Sequence, residues 1–297
     1  MCNDNKDKTN HISNTSAPKH HYLFILAIIL ILAIFSNIFF ATKYYNTKKE
    51  ISELQKHSEE KQKVLTSSVE LKYQSLYKEM YSKYPDHFDK RHGKTLYLTF
   101  DDGPSVFTDS ILKTLKEKNI KATFFVTGVT LKNPENKERL RLIAKAGHTI
   151  GLHTNCHIYR QIYSSVEDYL ADFYFIWVKV KDITGIEPKI FRFPGGSINN
   201  YNANIYQQLI AEMTRRGFVY YDWNASGNDT VIKTATSSDI YNYCTTTKNR
   251  NNIILLLHDS NKKAEIVLPK VIDFYIKNGY EILPLTENVK PITWNYR

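Results

Sequence analysis

Thr95-Leu96-Tyr97-Leu98-Thr99-Phe100-Asp101-Asp102-Gly103-Pro104-Ser105 is a β-favouring run that ends in two adjacent carboxylates and a turn. It opens the part of the chain, residues 94–297, in which short β-rich runs alternate with helical patterns. The further runs are TFFVTG (123–128), HTIGLHT (148–154), IFRFP (190–194), FVYYDWN (218–224), NIILLLHD (252–259) and YEILPL (280–285). Helical patterns lie between them at 107–118, 136–146, 166–183, 203–216 and 263–277. Strand and helix repeating in this order predict an α/β fold with a parallel sheet. About seven such units predict a distorted, incomplete (β/α) barrel, with a doubly wound open sheet as the alternative.

The polar residues that stand out fall at the C-terminal ends of these strands, where a β/α barrel places its catalytic loops. Side chains of neighbouring residues diverge in an extended segment, so Asp101 and Asp102 are expected to serve different tasks at one site. Alone, the same stretch is equally an ordinary turn. The third strand runs into His153-Thr154-Asn155-Cys156-His157. If the chain turns into a helix there, both imidazoles project from one face and can hold one metal ion; two surface histidines would have the same spacing. A carboxylate from the first strand completes a set of two histidines and one aspartate that leaves positions open for water and substrate, as catalytic sites do.

Two later stretches, Arg192-Phe193-Pro194-Gly195-Gly196 and Leu256-Leu257-His258-Asp259, follow in order. Alone they would be a solvated arginine and a buried histidine. All four together resemble the motifs of the polysaccharide deacetylase family, also called the NodB homology domain or carbohydrate esterase family four, over roughly residues 94–290. The resemblance implies that Asp101 is the general base, that Asp102, His153 and His157 bind a divalent metal, zinc first, and that Arg192 orients Asp101. It further implies that Leu256 lines the pocket for the acetyl methyl and that His258 is the general acid. A backbone amide near Gly195 is the expected oxyanion donor. One motif departs from the family's Asp-x-Asp-Trp pattern: Tyr221-Asp222-Trp223-Asn224-Ala225-Ser226-Gly227-Asn228-Asp229 offers Asp222 or Asp229 to tune His258, and Asp222 is the candidate. Cys156 is expected to be an idle thiol.

The implied activity is metal-dependent hydrolytic de-N-acetylation of a cell-wall polysaccharide, peptidoglycan at its N-acetylglucosamine residues. Chitin oligomers, xylan and muramic acid residues are the alternative substrates, and a non-catalytic carbohydrate-binding protein is the alternative class.

Outside this part, Tyr22 to Ala41 reads YLFILAIILILAIFSNIFFA without a charge, long enough as a helix to cross the hydrocarbon core. No small-x-small cleavage site follows, and Tyr22, Tyr44 and Tyr45 sit where interfacial aromatics belong, so the run is expected to be an uncleaved anchor. The expected organisation is a cytoplasmic tail (1–21), a transmembrane anchor (22–41), a helical stalk (42–93) and an extracellular catalytic domain (94–297). The stalk's apolar residues, among them Ile51, Leu54, Leu65, Val69, Leu76 and Met80, have only loosely helical spacing. Lys43, Lys48, Lys49, Lys56 and Lys61 after the anchor outnumber Lys6, Lys8 and Lys19 before it, so the positive-inside balance does not itself favour an outside C-terminus. The orientation follows from a substrate found outside, since a large C-terminal domain can translocate whatever the nearby charge. A net charge of +10 favours an anionic partner. The absence of zinc-finger, helix-turn-helix and RNA-binding aromatic signatures argues against nucleic acid. Cys2, Cys156 and Cys244 are too few and scattered for a disulfide framework.

Overall fold

A computed structural model describes residues 19–68, 71–89 and 93–294. The chain divides into two compact units, Met1–Glu70 and Leu71–Arg297. In the first, one helix, α1 (Lys19–Ser68), carries the apolar run and continues beyond it. The residues after Ala41 are rich in Lys, Glu and Gln and contain no Gly or Pro, so nothing in the backbone ends the helix where the apolar side chains end. Its stretch Leu23–Glu60 is long and apolar enough to cross a membrane. Of the expected tail, residues 1–18, with Cys2, Lys6 and Lys8, lie outside the described residues, as does Val69.

The second unit holds the strands β1 (Thr95–Gly103), β2 (Thr123–Val126), β3 (Thr149–Leu152), β4 (Ile190–Phe191), β5 (Val219–Tyr220), β6 (Ala225–Ser226), β7 (Asn252–His258) and β8 (Glu281–Leu283). Between them lie α2 (Thr108–Glu117), α3 (Pro134–Lys145), α4 (Tyr159–Ile162), α5 (Val166–Thr184), α6 (Tyr206–Arg215), α7 (Ser237–Thr245) and α8 (Lys262–Lys277). All pairings are parallel, in the order β5-β4-β3-β2-β1-β7-β6, and β8 shares an edge of β1 with β2 by pairing with Thr95–Tyr97 below the point where β2 begins.

The order decides between barrel and open sheet. β5 and β6 stand at opposite ends of the sheet, yet only Tyr221–Asn224 separate them. The chain from Tyr220 to Ala225 spans at most roughly 17 Å, whereas six strand spacings across a flat sheet are about 29 Å. The sheet must therefore curl until its two edges approach, which gives the incomplete barrel. The run 218–224, taken as one strand in the sequence, is in fact β5 followed by this crossing of the open seam.

Strand alternation fills both faces. Leu96, Leu98 and Phe100 of β1 and Ile253, Leu255 and Leu257 of β7 pack under the helices, while Tyr97, Ile254, Phe125, Ile190 and Leu285 fill the barrel interior. Residues 71–89, expected to be stalk, are packed into this unit, with Tyr73 and Met80 buried. Fully buried Arg216 ties them down, donating to the carbonyls of Tyr73, Leu76 and Tyr77 at 3.2, 2.8 and 3.0 Å while pairing with Glu212 at 2.7 Å. Such a charge is tolerable inside because each of its three guanidinium nitrogens finds an acceptor.

Candidate active site

β1 and β7 are central strands, and their register sets Asp101 directly beside His258. Asp101 is 2% exposed. Its Oδ1 accepts from Arg192 Nη1 at 2.8 Å, and its Oδ2 lies 3.6 Å from His153 Nε2. Burial raises the Asp101 pKa above the ordinary carboxylate value even though the Arg192 and His258 charges oppose the rise. Arg192 is itself fully buried. It also donates to Thr99 Oγ1 at 2.8 Å and Tyr221 O at 2.8 Å, and its guanidinium lies over the ring of Phe125, 4.3 Å from the centroid. Arg192 thus contacts the Asp101 carboxylate directly.

Asp102 diverges from Asp101, though not through simple strand alternation. The pairing of β1 with β2 shifts register between Asp101 and Gly103, and Asp102 adopts φ +68°. This bulge turns its carboxylate toward the histidines, with Oδ1 3.3 Å from His157 Nε2 and 3.7 Å from His153 Nε2. Nor do the histidines share a helix: Thr154 at φ +72° and His157 at φ +57° make a tight loop before α4 begins at Tyr159. Asp172 from α5 holds this loop by accepting from the N–H groups of Asn155 and Cys156, at 2.5 and 2.9 Å. The i,i+4 spacing thus brings the rings together, centroids 5.1 Å apart, by a different backbone from the one expected.

The ligand atoms of Asp102, His153 and His157 all lie within 4.8 Å of one another. Asp102 Oδ1 is buried without a hydrogen-bond partner among the described residues. His153 Nδ1 lies 2.8 Å from Arg192 O, so the proton belongs on Nδ1 and Nε2 keeps its lone pair. Burial, and then the His157 charge, push the His153 pKa down to about 3, so the ring is neutral, as a ligand must be. An orphaned buried carboxylate oxygen facing two imidazole nitrogens is a donor set that fits a divalent cation.

On β7 the period of two puts Leu256 and His258 on one face. Leu256 is 5% exposed and belongs to neither apolar cluster. The partner of His258 is Asp229, not Asp222. Asp229 Oδ1 accepts from His258 Nδ1 at 2.8 Å and its Oδ2 from His258 N at 2.9 Å. Burial alone lowers the His258 pKa, but the Asp229 hydrogen bond and charge, with the charges of Asp101 and Asp102, together outweigh it and lift the imidazole to about 9. Asp222 misses this role because it lies in the seam crossing, whereas β6 pairs with β7 and delivers Asp229 to the end of that strand. The Asp222 carboxylate instead accepts from Ser197 N and Trp294 N, both at 2.8 Å, and from the Ser197 hydroxyl, so it holds the loop after Arg192.

That loop presents Gly195, exposed and at φ +74°. Gly196 N and Ser197 N are both bonded, to Phe193 O and Asp222, while Gly195 N–H has no partner among the described residues. Gly196, at φ +87°, must be glycine, since a Cβ there would run into the Trp294 ring. Cys156 is partly buried, and burial pushes its thiol up to about 11, which suits an inert side chain. Sequence reasoning did not find Asp172 or Thr99 as supports. Asp172 lies outside every motif, Thr99 reads as an ordinary strand residue within the first, and their contacts exist only once α5 and the barrel have formed.

Residues 88–214 match the family model described as Polysaccharide deacetylase. YheN of Bacillus subtilis is 32% identical over 204 residues, covering 67% of this chain and 70% of that protein. A peptidoglycan-N-acetylglucosamine deacetylase of Bacillus cereus is 28% identical over 207 residues, covering 68% and 73%. Among solved structures, the catalytic domain of peptidoglycan N-acetylglucosamine deacetylase from Eubacterium rectale aligns with a TM-score of 0.67 at 33% identity, covering 71% of this chain and 97% of that one.

Proposed function

The chain belongs to the polysaccharide deacetylase family, hydrolases of carbon–nitrogen bonds other than peptide bonds, and we propose that it removes acetyl groups from the N-acetylglucosamine residues of peptidoglycan. The observation that carries this is the pairing of a buried, arginine-held carboxylate with an aspartate-backed histidine on the adjacent strand, beside the Asp102-His153-His157 set.

Asp102, His153 and His157 would hold a divalent cation, zinc by its preference for imidazole and carboxylate in an open site, which would supply Lewis acidity toward water and the acetyl carbonyl. Asp101 accepts the water proton as the oxygen adds to the acetyl carbon, and the rise of its pKa on burial favours that uptake. Arg192 fixes Oδ1, so Oδ2 is the oxygen that takes the proton. Gly195 N–H donates to the acetyl oxygen as it gains charge. Leu256 offers the methyl group an apolar wall. His258, its Nδ1–H held by Asp229, delivers a proton from Nε2 to nitrogen as the C–N bond breaks, because an amine leaves poorly as an anion. Acetate and a free amino sugar result.

Peptidoglycan is favoured because the relatives named above from Bacillus cereus and Eubacterium rectale carry that substrate in their names, and because α1 suits a tether near a wall polymer. Lys113, Lys116, Lys121 and Lys145 line a groove between α2 and α3 that suits an anionic polymer. We take α1 as a single-pass anchor, with residues before it cytoplasmic and the second unit outside. Protease added to intact protoplasts is then expected to remove the second unit; its protection until lysis would refute the orientation.

The full-length protein in detergent is expected to release acetate from peptidoglycan, less from N-acetylated chito-oligosaccharide, and none after chelation until zinc is restored. Binding of these glycans without acetate release from any of them would make the protein a carbohydrate-binding member of the fold instead.

A further inference from the structure

Tyr159 opens α4 two residues after His157 and has no part in the chemistry above. Its ring stands edge-on to His157, centroids 5.5 Å apart, and 5.1 Å from the ring of Tyr201. It also occupies the space above Gly195: a Cβ on that glycine would lie 2.8 Å from Tyr159 Cε1 and 3.1 Å from its hydroxyl oxygen. With about 1.5 Å for the added bond, the hydroxyl is within roughly 4.6 Å of the Gly195 backbone, whose N–H is free. The phenol thus stands between the loop that offers an oxyanion donor and His157, whose Nε2 lies 3.3 Å from Asp102 Oδ1.

The hydroxyl has no hydrogen-bond partner among the described residues, in contrast to the Tyr163 hydroxyl four residues on, which donates to Pro194 O at 2.8 Å. The two tyrosines flank the same loop, in which Pro194 O and Gly196 O already accept hydrogen bonds. Asn199 Nδ2 donates to Pro194 O and Gly196 O at 3.2 and 3.1 Å. Among the described residues the Tyr159 O–H has no acceptor, while its ring stands against Gly195, His157 and Tyr201 on three sides. A positioned donor without an acceptor is suited to one that arrives with the substrate.

We propose that Tyr159 is a further catalytic residue whose hydroxyl donates, beside Gly195 N–H, to the acetyl oxygen as negative charge develops there. The assignment rests on the deacetylase function proposed above. Preorganised donors of this kind act mainly on the transition state, so their loss lowers kcat more than it raises KM.

Tyr159→Phe keeps the ring and removes only the O–H. It is expected to lower kcat by about a hundredfold, as removal of one oxyanion donor does, with KM within about twofold, metal content and melting temperature unchanged, and weaker binding of acetate by calorimetry. Tyr159→Leu, which also loses the ring, tests packing separately and is expected to lower the melting temperature as well. A Tyr159→Phe protein with wild-type kcat, or with only KM raised, overturns the assignment and leaves the deacetylase function standing. A wild type that releases no acetate from any N-acetylated glycan overturns both.

Discussion

Asp101→Asn is expected to keep its metal and lose deacetylation by about a hundredfold or more, the range for removal of a general base. The asparagine is isosteric and its Oδ1 can still accept from Arg192, but it takes no proton from water. Asp102, His153 and His157 are untouched, so elemental analysis should give wild-type stoichiometry. Some stability will be lost, because the fully buried Arg192 no longer faces a charge. Thr99 Oγ1, the carbonyls of Tyr221 and Asp222 and the face of Phe125 still hold it, which keeps the loss short of unfolding. Asp102→Asn and His153→Ala should behave in the opposite order, losing metal first and activity as a consequence. The bulge at Asp102 is what makes the division of labour sharp, since it sends the two carboxylates to different partners. An Asp101→Asn protein that purifies without metal would overturn it.

The central strands were legible because they are buried on both faces. The runs ending in Asp101 and His258 are nearly continuous apolar stretches, and their register makes these two residues neighbours without any long-range adjustment. What escaped depends on closure of the barrel. Asp222 and Asp229 are equivalent choices along the chain, and only the seam crossing between β5 and β6 carries the first to the Ser197 loop and the second to His258. The spacing of His153 and His157 pointed to two rings that do come together, but not through the helical turn expected, because the loop depends on Asp172 and two residues at positive φ. α7 carried a local signal in its capping box, Thr236 with Asp239, but only Ile240 and Cys244 of its residues are buried, too few for a clear apolar stripe. Residues 71–89 looked like stalk because their anchor, Arg216, lies far along the chain.

Asp229→Asn is expected to move the alkaline limb of the pH profile toward acid. His258 must be protonated to serve the leaving amine, and it is lifted to about 9 because the Asp229 hydrogen bond and charge, joined by the Asp101 and Asp102 charges, together outweigh burial. The wild type should therefore hold its activity up to that region and lose it above. With a neutral asparagine the burial contribution is left without its main opponent, and the imidazole falls back toward or below its ordinary pKa of about 6.5. At pH 8.5 an imidazole of pKa about 6.5 is only about one part in a hundred protonated, so activity there should drop on the order of a hundredfold. Near pH 6 the deficit should be much smaller. His258→Ala has no such limb and should be slow at every pH. Stability follows the same pair: a folded pKa raised above the unfolded one contributes fully below about 6.5 and is lost as pH rises through about 9. The wild type should therefore melt progressively lower across that window, and Asp229→Asn should not. Measuring kcat and melting temperature together from pH 5.5 to 10 distinguishes the two origins. A parallel loss of activity at all pH values in Asp229→Asn, with the alkaline limb unmoved, would mean that the aspartate only positions the ring and that its charge does not set the acid.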